Sequence, residues 1–277
     1  MMTDEIRSWG ESAPYWEKHF DTIREMFAPV SRALIEDAAL VDGNRVLDVA
    51  GGSGEPSLTV AGVVAPSGSV TYSDPSAAML AAARRHAVRF GVGNICFCQT
   101  VGDSLPFVSD HFDAVVCRFG AMFFEDPEIA VRELLRVTRP GARVATAVWD
   151  TSRANPFHHV VTDVLSRYVE PAPPDPDAMG AFRFAESGKL EKVFTAAGAH
   201  DVEGRVLPFD IKAPLSVEGF WELRSEMSGT LRDKLKSLPA VQAQQIATEA
   251  QESAREFAVE GGLSFPAQVI VVRGVRM

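Results

Sequence analysis

The sequence predicts an α/β fold: a mostly parallel sheet with helices on both faces and helical segments added before and after it. Three observations predict it. Short apolar runs alternate with helical patterns between residues 45 and 150, as in repeated βα units. The connections between them are short, which suits one sheet. The first apolar run enters a Gly-rich turn within VLDVAGGSG (46–54), the way a parallel strand hands the chain to a helix.

The elements follow in order. Residues 5–40 are rich in aromatic side chains (Trp9, Tyr15, Trp16, His19, Phe20 and Phe27) and read as helices whose aromatic stripe packs on the core or covers a ligand. Strands are expected at 45–50, 69–74, 95–99, 112–117 and 143–150. The first intervening helix starts near Pro56, whose fixed φ suits a first turn, and stops before Pro66-Ser67-Gly68. The second runs from Ala77 to about Phe90, with Ser76 as N-cap and Gly91 as its stop. The third follows Asp126, has Pro127 at its first position and ends before Pro140-Gly141. Beyond the sheet, residues 151–184 read as a helix and a stiff loop carrying Pro171-Ala172-Pro173-Pro174-Asp175-Pro176. Residues 216–260 read as two or more helices, and 267–273 as a last strand. No internal repeat is visible.

Composition narrows the function classes. With 277 residues, 46% of them hydrophobic, the chain can bury one sizeable α/β core and a cap. No apolar run approaches the roughly 20 residues needed to cross a bilayer, and Asp4, Glu5 and Arg7 do not resemble a signal peptide, so a cytoplasmic location is expected. A net charge of −10 argues against a nucleic-acid partner, whose phosphates require clustered cations. Cys96, Cys98 and Cys117 lie in strand-like stretches and are expected to be buried free thiols; no second ligand pair suggests a metal.

The chemistry concentrates at the first turn. Its glycines expose backbone amides at a helix N-terminus, and Asp74 ends the next strand, where a carboxylate can accept bonds from both ribose hydroxyls. A dinucleotide loop would place a third glycine where Ser57 stands, and pyrophosphate would be repelled by Asp48. S-adenosylmethionine lacks phosphate and carries an ammonium and a sulfonium, so a nearby carboxylate suits it better than NAD.

Five blocks in order carry a family resemblance: VLDVAGGSGEPSL (46–58), VTYSDPSAAML (70–80), LPF (105–107), FDAVVCRFGAMFF (112–124) and LLRVTRPGARVATAVW (134–149). They resemble class I S-adenosylmethionine-dependent methyltransferases, in particular the ubiquinone/menaquinone C-methyltransferase-like (type 11) group. The likeness is looser at 155–157, 182–190 and 197–205. It implies a Rossmann-like sheet of seven strands, the last antiparallel, with a helical N-terminal cover (1–40) and a cofactor domain (41–277) whose cap insertions fall at about 151–184 and 216–260.

The resemblance assigns cofactor contacts to Asp48, Ala50, Gly52, Gly54, Asp74, Pro75, Met79, Gly102, Asp103 and Arg118. Asp48 either meets the ammonium or orients the loop. Asp74 holds the ribose, and Pro75 and Met79 flank the adenine. Two departures stand out. Val101 occupies a position often acidic in relatives, leaving Asp103 to meet the adenine amino group, and Ala50 replaces the first glycine of the turn. Arg118, ending the fourth strand, faces either the cofactor carboxylate, a substrate anion or a helix carboxylate. Methyl transfer is an in-line displacement that depends mainly on alignment, so a base is not obligatory. If the acceptor needs one, His19 and His158 are candidates, with Tyr15 as an orienting hydroxyl; His158 and His159 would point about 100° apart on a helix.

The expected function is therefore methyl transfer from S-adenosylmethionine to a small, hydrophobic or aromatic acceptor, with S-adenosylhomocysteine as product. Two alternatives stay open: a protein that binds this cofactor for another reaction or for sensing, and an NAD-dependent oxidoreductase.

Overall fold

The structure is a computed structural model that describes residues 4–170 and 175–277. Residues 171–174 of the Pro-rich stretch lie outside the described residues. Three helices open the chain: α1 (Asp4–Lys18), α2 (Phe20–Met26) and α3 (Ala28–Asp37). The alternating part contains β1 (Arg45–Val49), α4 (Ser57–Val64), β2 (Ser69–Asp74), α5 (Ala77–Arg89) and β3 (Ile95–Gln99). It continues through β4 (Phe112–Arg118), α6 (Pro127–Val137) and β5 (Thr138–Trp149). The rest comprises α7 (Pro156–Leu165), α8 (Lys189–Ala196), β6 (His200–Ala213), α9 (Val217–Met227), α10 (Gly229–Ser237), α11 (Ala240–Ala254), β7 (Ala258–Val259) and β8 (Gly262–Val275).

The local signals did what their chemistry requires. Ser76 Oγ accepts the Met79 N–H at 3.3 Å, so the expected N-cap is made, and Asp126 caps the next helix in the same way by accepting the Ile129 N–H at 3.0 Å. Gly91, at φ +66°, ends α5 in the left-handed region. On α6, Ala130, Val131, Leu134, Leu135 and Val137 turn inward; fully burying one leucine such as Leu134 contributes roughly 1.5–3 kcal/mol. Pro56 takes the N-cap position of α4, so the helix starts at Ser57, one residue later than a Pro in the first turn would give.

The strand order is β3-β2-β1-β4-β5-β8-β6, with β7 pairing β8 outside that path. The pairs from β3 to β5 are parallel, whereas β8 runs antiparallel to both β5 and β6. This path has the expected seven strands, and among the described residues the two-residue β7 adds an eighth as a small hairpin with β8. Consecutive residues of β1 and β4 are buried, which requires cover on both sheet faces since neighbouring side chains point oppositely. Between these two strands the order reverses, opening a crevice at their carboxyl ends.

Three differences from the sequence reading have physical causes. β6 was not anticipated: as an edge strand its side chains are mostly exposed, and Gly204 and Pro208 interrupt any apolar run. β5 begins at Thr138, which pairs with Phe112 before the ladder slips past Pro140-Gly141 and resumes at Arg143. Of the three cysteines only Cys117 is buried; Cys96 is exposed and Cys98 half-buried, because β3 forms the opposite sheet edge. All three are free thiols.

Candidate functional site

The turn between β1 and α4 is shaped by backbone conformation. Ala50, Gly52 and Gly54 sit at φ +59°, +55° and +125°, and the turn is tied internally, with the Gly51 N–H donating to the Ser73 carbonyl and the Gly54 N–H to the Gly51 carbonyl. Ala50 occupies the left-handed region without being glycine, so the departure from the family pattern is tolerated with local strain. Gly51 lacks room for a side chain: an added Cβ would lie 2.6 Å from the Tyr72 ring and 2.9 Å from Asp48 Oδ2. Gly51→Ala is therefore expected to lower stability by about 1–3 kcal/mol, read from denaturant unfolding. An unchanged midpoint would show that the loop yields freely.

Several groups clamp the turn from behind. Tyr72 on β2 donates its hydroxyl to the Gly52 carbonyl at 2.5 Å. His86 Nδ1 lies 2.8 Å from the Ser53 carbonyl, so that nitrogen must carry the proton. Phe20 stacks on His86 at 3.7 Å, tying α2 to the same support. The sequence reading missed both clamps. His86 was nevertheless legible in part, since Met79, Ala82, Ala83 and His86 recur at helical spacing on the buried face of α5.

Two carboxylates frame the turn. Asp74 accepts the Gly52 N–H at 3.0 Å and the Ser76 N–H at 2.8 Å, and burial pushes its pKa up to about 6 against those two bonds. Asp48 is completely buried under the loop. Its Oδ2 accepts from Ser57 Oγ at 2.5 Å, so the residue standing in place of a third glycine holds the carboxylate. Its Oδ1 has no hydrogen-bond partner among the described residues. Burial pushes Asp48 up to about 7, with Ser57 and Arg118 pulling it down and Glu55 pushing it further up.

Arg118 ends β4 beneath the same turn and is buried. It donates to Ser31 Oγ at 2.9 Å and to the Glu55 carbonyl at 3.1 Å, while its Nε has no partner among the described residues. Burial lowers its pKa, and the negative charges of Glu55 and Asp48 oppose that. The Glu55 side chain turns to Arg24 Nε at 2.9 Å and to Thr59. Glu55, Arg24 and Ser31, none of them singled out by sequence, thus complete a charged support that links α2, α3 and the turn.

The remaining sequence candidates fall into separate places. Met79 is buried below Ser76, and Pro75 is half-buried with its carbonyl held by Gln99 at 3.0 Å. The Thr100 N–H donates to the Asp74 carbonyl at 3.2 Å, so the turn carrying Gly102 and Asp103 starts beside Asp74. Asp103 Oδ2 accepts the Asp126 N–H at 3.3 Å, and Gly102 lies against the Phe124 ring. Burial raises the Asp103 pKa.

The three proposed catalytic side chains are not gathered around one point. His19 Nε2 is 2.6 Å from Glu226, and the Arg232 guanidinium lies 4.9 Å over the Tyr15 ring, which commits both to the α1–α9–α10 junction. His158 instead meets the Trp149 ring edge-on at 4.5 Å. Trp149 stacks on Phe119 at 4.6 Å and 8°, at the ends of β5 and β4. Of the three, His158 is the one tied to the sheet's carboxyl edge.

Helix α1 lies over the crevice. Gly10 approaches Ser76, and Trp9 packs edge-on to Phe123 at 5.1 Å. A surface cavity of about 480 Å³ is accordingly lined by Arg24, Ser31, Thr59 and neighbours, and not by Asp48 or Asp74.

These residues fit S-adenosylmethionine. Two buried carboxylates stand at the turn, one with a bare oxygen, and burial raises the pKa of both. A pair of buried carboxylates suits a cationic nucleoside better than an anionic one.

Known proteins place the chain among relatives. It is 40% identical over 114 residues to the ubiquinone/menaquinone biosynthesis C-methyltransferase UbiE of Pseudomonas paraeruginosa, a match covering 41% of this chain and 44% of the relative. UbiE of Ectopseudomonas mendocina is 38% identical over 136 residues, covering 49% of this chain and 53% of the relative. The chain thus spans about half the length of the curated relatives it matches. Among solved structures, the YcgJ protein of Bacillus subtilis superposes with a TM-score of 0.57 at 22% identity, covering 89% of this chain and 97% of that one. A SAM-dependent methyltransferase from Aquifex aeolicus gives 0.53 at 21% identity, covering 70% and 91%. Both likenesses show the Rossmann-like fold. The model of the ubiE/COQ5 methyltransferase family matches residues 30–172, more than half of the sequence, and the chain belongs to that family.

Proposed function

We propose that the protein transfers a methyl group from S-adenosylmethionine to a small aromatic or hydrophobic molecule. The observation that carries this reading is the pairing of two buried carboxylates, Asp48 and Asp74, across one left-handed turn. A dinucleotide is poorly served by the same place, because Asp48 would face pyrophosphate and Ser57 fills the third-glycine position. The similarity to ubiquinone/menaquinone biosynthesis C-methyltransferases agrees with a small ring-bearing acceptor.

When bound, the cofactor supplies an electrophilic methyl carbon on a sulfonium. The chain's part is alignment. Asp74 and the backbone of the turn hold the nucleoside, Asp48 balances positive charge from below, and Arg118 keeps the turn at the tip of β4. Phe119 and Trp149, stacked at the ends of β4 and β5, offer π faces that attract cationic charge and keep water out. Holding nucleophile and methyl in line can contribute roughly 7–11 kcal/mol. The N-terminal segment (residues 1–40) acts as the cover of this site, and residues 151–184 and 216–260 as its caps.

His158 positions the acceptor in this scheme instead of removing its proton. Burial and Arg224 hold its pKa well below the usual 6.5, so it stays neutral. His158→Ala is expected to lower kcat/KM about tenfold or more while leaving S-adenosylhomocysteine affinity unchanged, measured by steady-state kinetics and calorimetry. A variant of full speed would reduce His158 to packing. The proposal as a whole is tested by incubating the protein with the cofactor and a panel of phenols, quinols and aromatic acids. Mass spectrometry should show a product heavier by one methylene; cofactor binding with no methylated product from any acceptor would favour the sensor reading.

A further inference from the structure

Strand β3 carries two free thiols, Cys96 and Cys98, that the candidate site does not use. They share one face of the sheet, because side chains alternate along a strand and Phe97 between them points the other way. The neighbours show which face is which. Ile95 and Phe97 pack with Phe20, Leu58 and Ala87, the Phe97 ring meets Tyr72 at 5.3 Å, and the Arg84 guanidinium of α5 lies 5.4 Å over it. Helices α4 and α5 thus cover the Phe97 face. Cys96 and Cys98 stand on the opposite face, beside their β2 partners Thr71 and Ser73. Among the described residues no helix lies between β3 and β4, and β3 is an edge strand, so Cys96 is exposed and Cys98 half-buried.

Spacing decides what the pair can do. Two positions apart on an extended strand, their Cα atoms, and with them the Cβ atoms, are separated by about 6.6 Å. A disulfide needs its Cβ atoms at about 3.8 Å, so oxidation within the pair would have to bend β3 out of its ladder with β2. A metal ion bridging two sulfurs spans more, roughly 4.6 Å at about 2.3 Å per metal–thiolate bond, and side-chain rotation supplies the difference. The ligand set is sulfur only. Among the described residues no group of three or more His, Cys, Asp and Glu side chains is placed to hold a metal, so the four ligands of a structural zinc site are not assembled. A soft ion that accepts two thiolates in a line needs no second pair, and sulfur ligands select copper(I).

We propose that Cys96 and Cys98 form a surface dithiol site for a soft, two-coordinate metal ion of the copper(I) class. Binding replaces two S–H bonds by two metal–sulfur bonds, releases two protons and changes no oxidation state. Cys117 takes no part, being buried in β4. No residue assigned to the cofactor takes part either, so the inference stands apart from the methyltransferase reading.

The test delivers copper(I) anaerobically to the full chain from a coloured chelate, whose loss of absorbance reports transfer. One ion should bind per chain, and a disulfide reagent that counts accessible thiols should find both Cys96 and Cys98 before loading and neither after it. The second sulfur acts as a neighbour at high effective concentration, so Cys96→Ser and Cys98→Ser should each weaken binding roughly a hundredfold or more. Cys96 is exposed, so its serine variant keeps the fold and decides the matter if Cys98→Ser does not fold. Native mass measurement should place the ion on a single chain. Binding as tight in Cys96→Ser as in the wild type, one of the two thiols left reactive after loading, or copper held only between two chains overturns the site.

Discussion

Replacing Asp74 by alanine is expected to weaken S-adenosylhomocysteine binding at least tenfold, and about a hundredfold if both ribose hydroxyls depend on it. The loss of one charge-assisted bond of about 1.4 kcal/mol already gives the first factor. Asp74 also accepts the Gly52 and Ser76 amides, so its removal frees the turn from the start of α5. Asp74→Asn separates the two roles, because the amide retains an oxygen acceptor for one backbone N–H but no charge for the ribose. Calorimetric titration of both variants checks this. Unchanged affinity in Asp74→Ala would remove the residue from the site.

Asp48→Asn is expected to make the ligand-free protein more stable at pH 8 while weakening binding of S-adenosylmethionine about tenfold or more. The sign follows from burial. A carboxyl moved from 3.8 to about 7 holds its proton more tightly when folded, so its favourable contribution is complete below the unfolded pKa and is lost as pH rises through about 7. Asp74, moved to about 6, loses its share as pH rises through that value. Ionising Asp48 inside the fold then costs up to about 4 kcal/mol, an upper bound that removal of the charge recovers in part. Denaturant unfolding of wild type and Asp48→Asn at pH 5 and pH 8 shows the effect: the curves should differ at pH 8 and converge toward pH 5. The same carboxylates should make cofactor binding tighter as pH rises over that interval, since the bound cation favours their charged forms. A pH-independent difference between the two proteins would contradict the buried-charge account.

What was legible in the sequence was whatever depends on neighbours along the chain. The turn at 50–54, the cap Ser76, the helix start at Asp126-Pro127 and the acidic end of β2 involve residues within a few positions of one another, and short-range geometry makes them readable. Edge strands were harder, because β6 carries a polar pattern and takes its place only through pairing with β8. β3 likewise looked internal by composition, yet its edge position leaves Cys96 in solvent. The support of the site escaped for a related reason. Arg118 meets Ser31 across 87 positions and Arg224 meets His158 across 66, and no periodicity encodes such meetings. Tyr15 and His19 illustrate the converse: their side chains suit catalysis, but Arg232 and Glu226 claim them at a helix junction.

Calorimetric titration of the wild-type protein with S-adenosylmethionine at pH 8 tests the central claim most directly. The predicted result is saturable binding of one equivalent, weakened in both Asp74→Ala and Asp48→Asn. Absence of binding, or binding indifferent to both carboxylates, would contradict it.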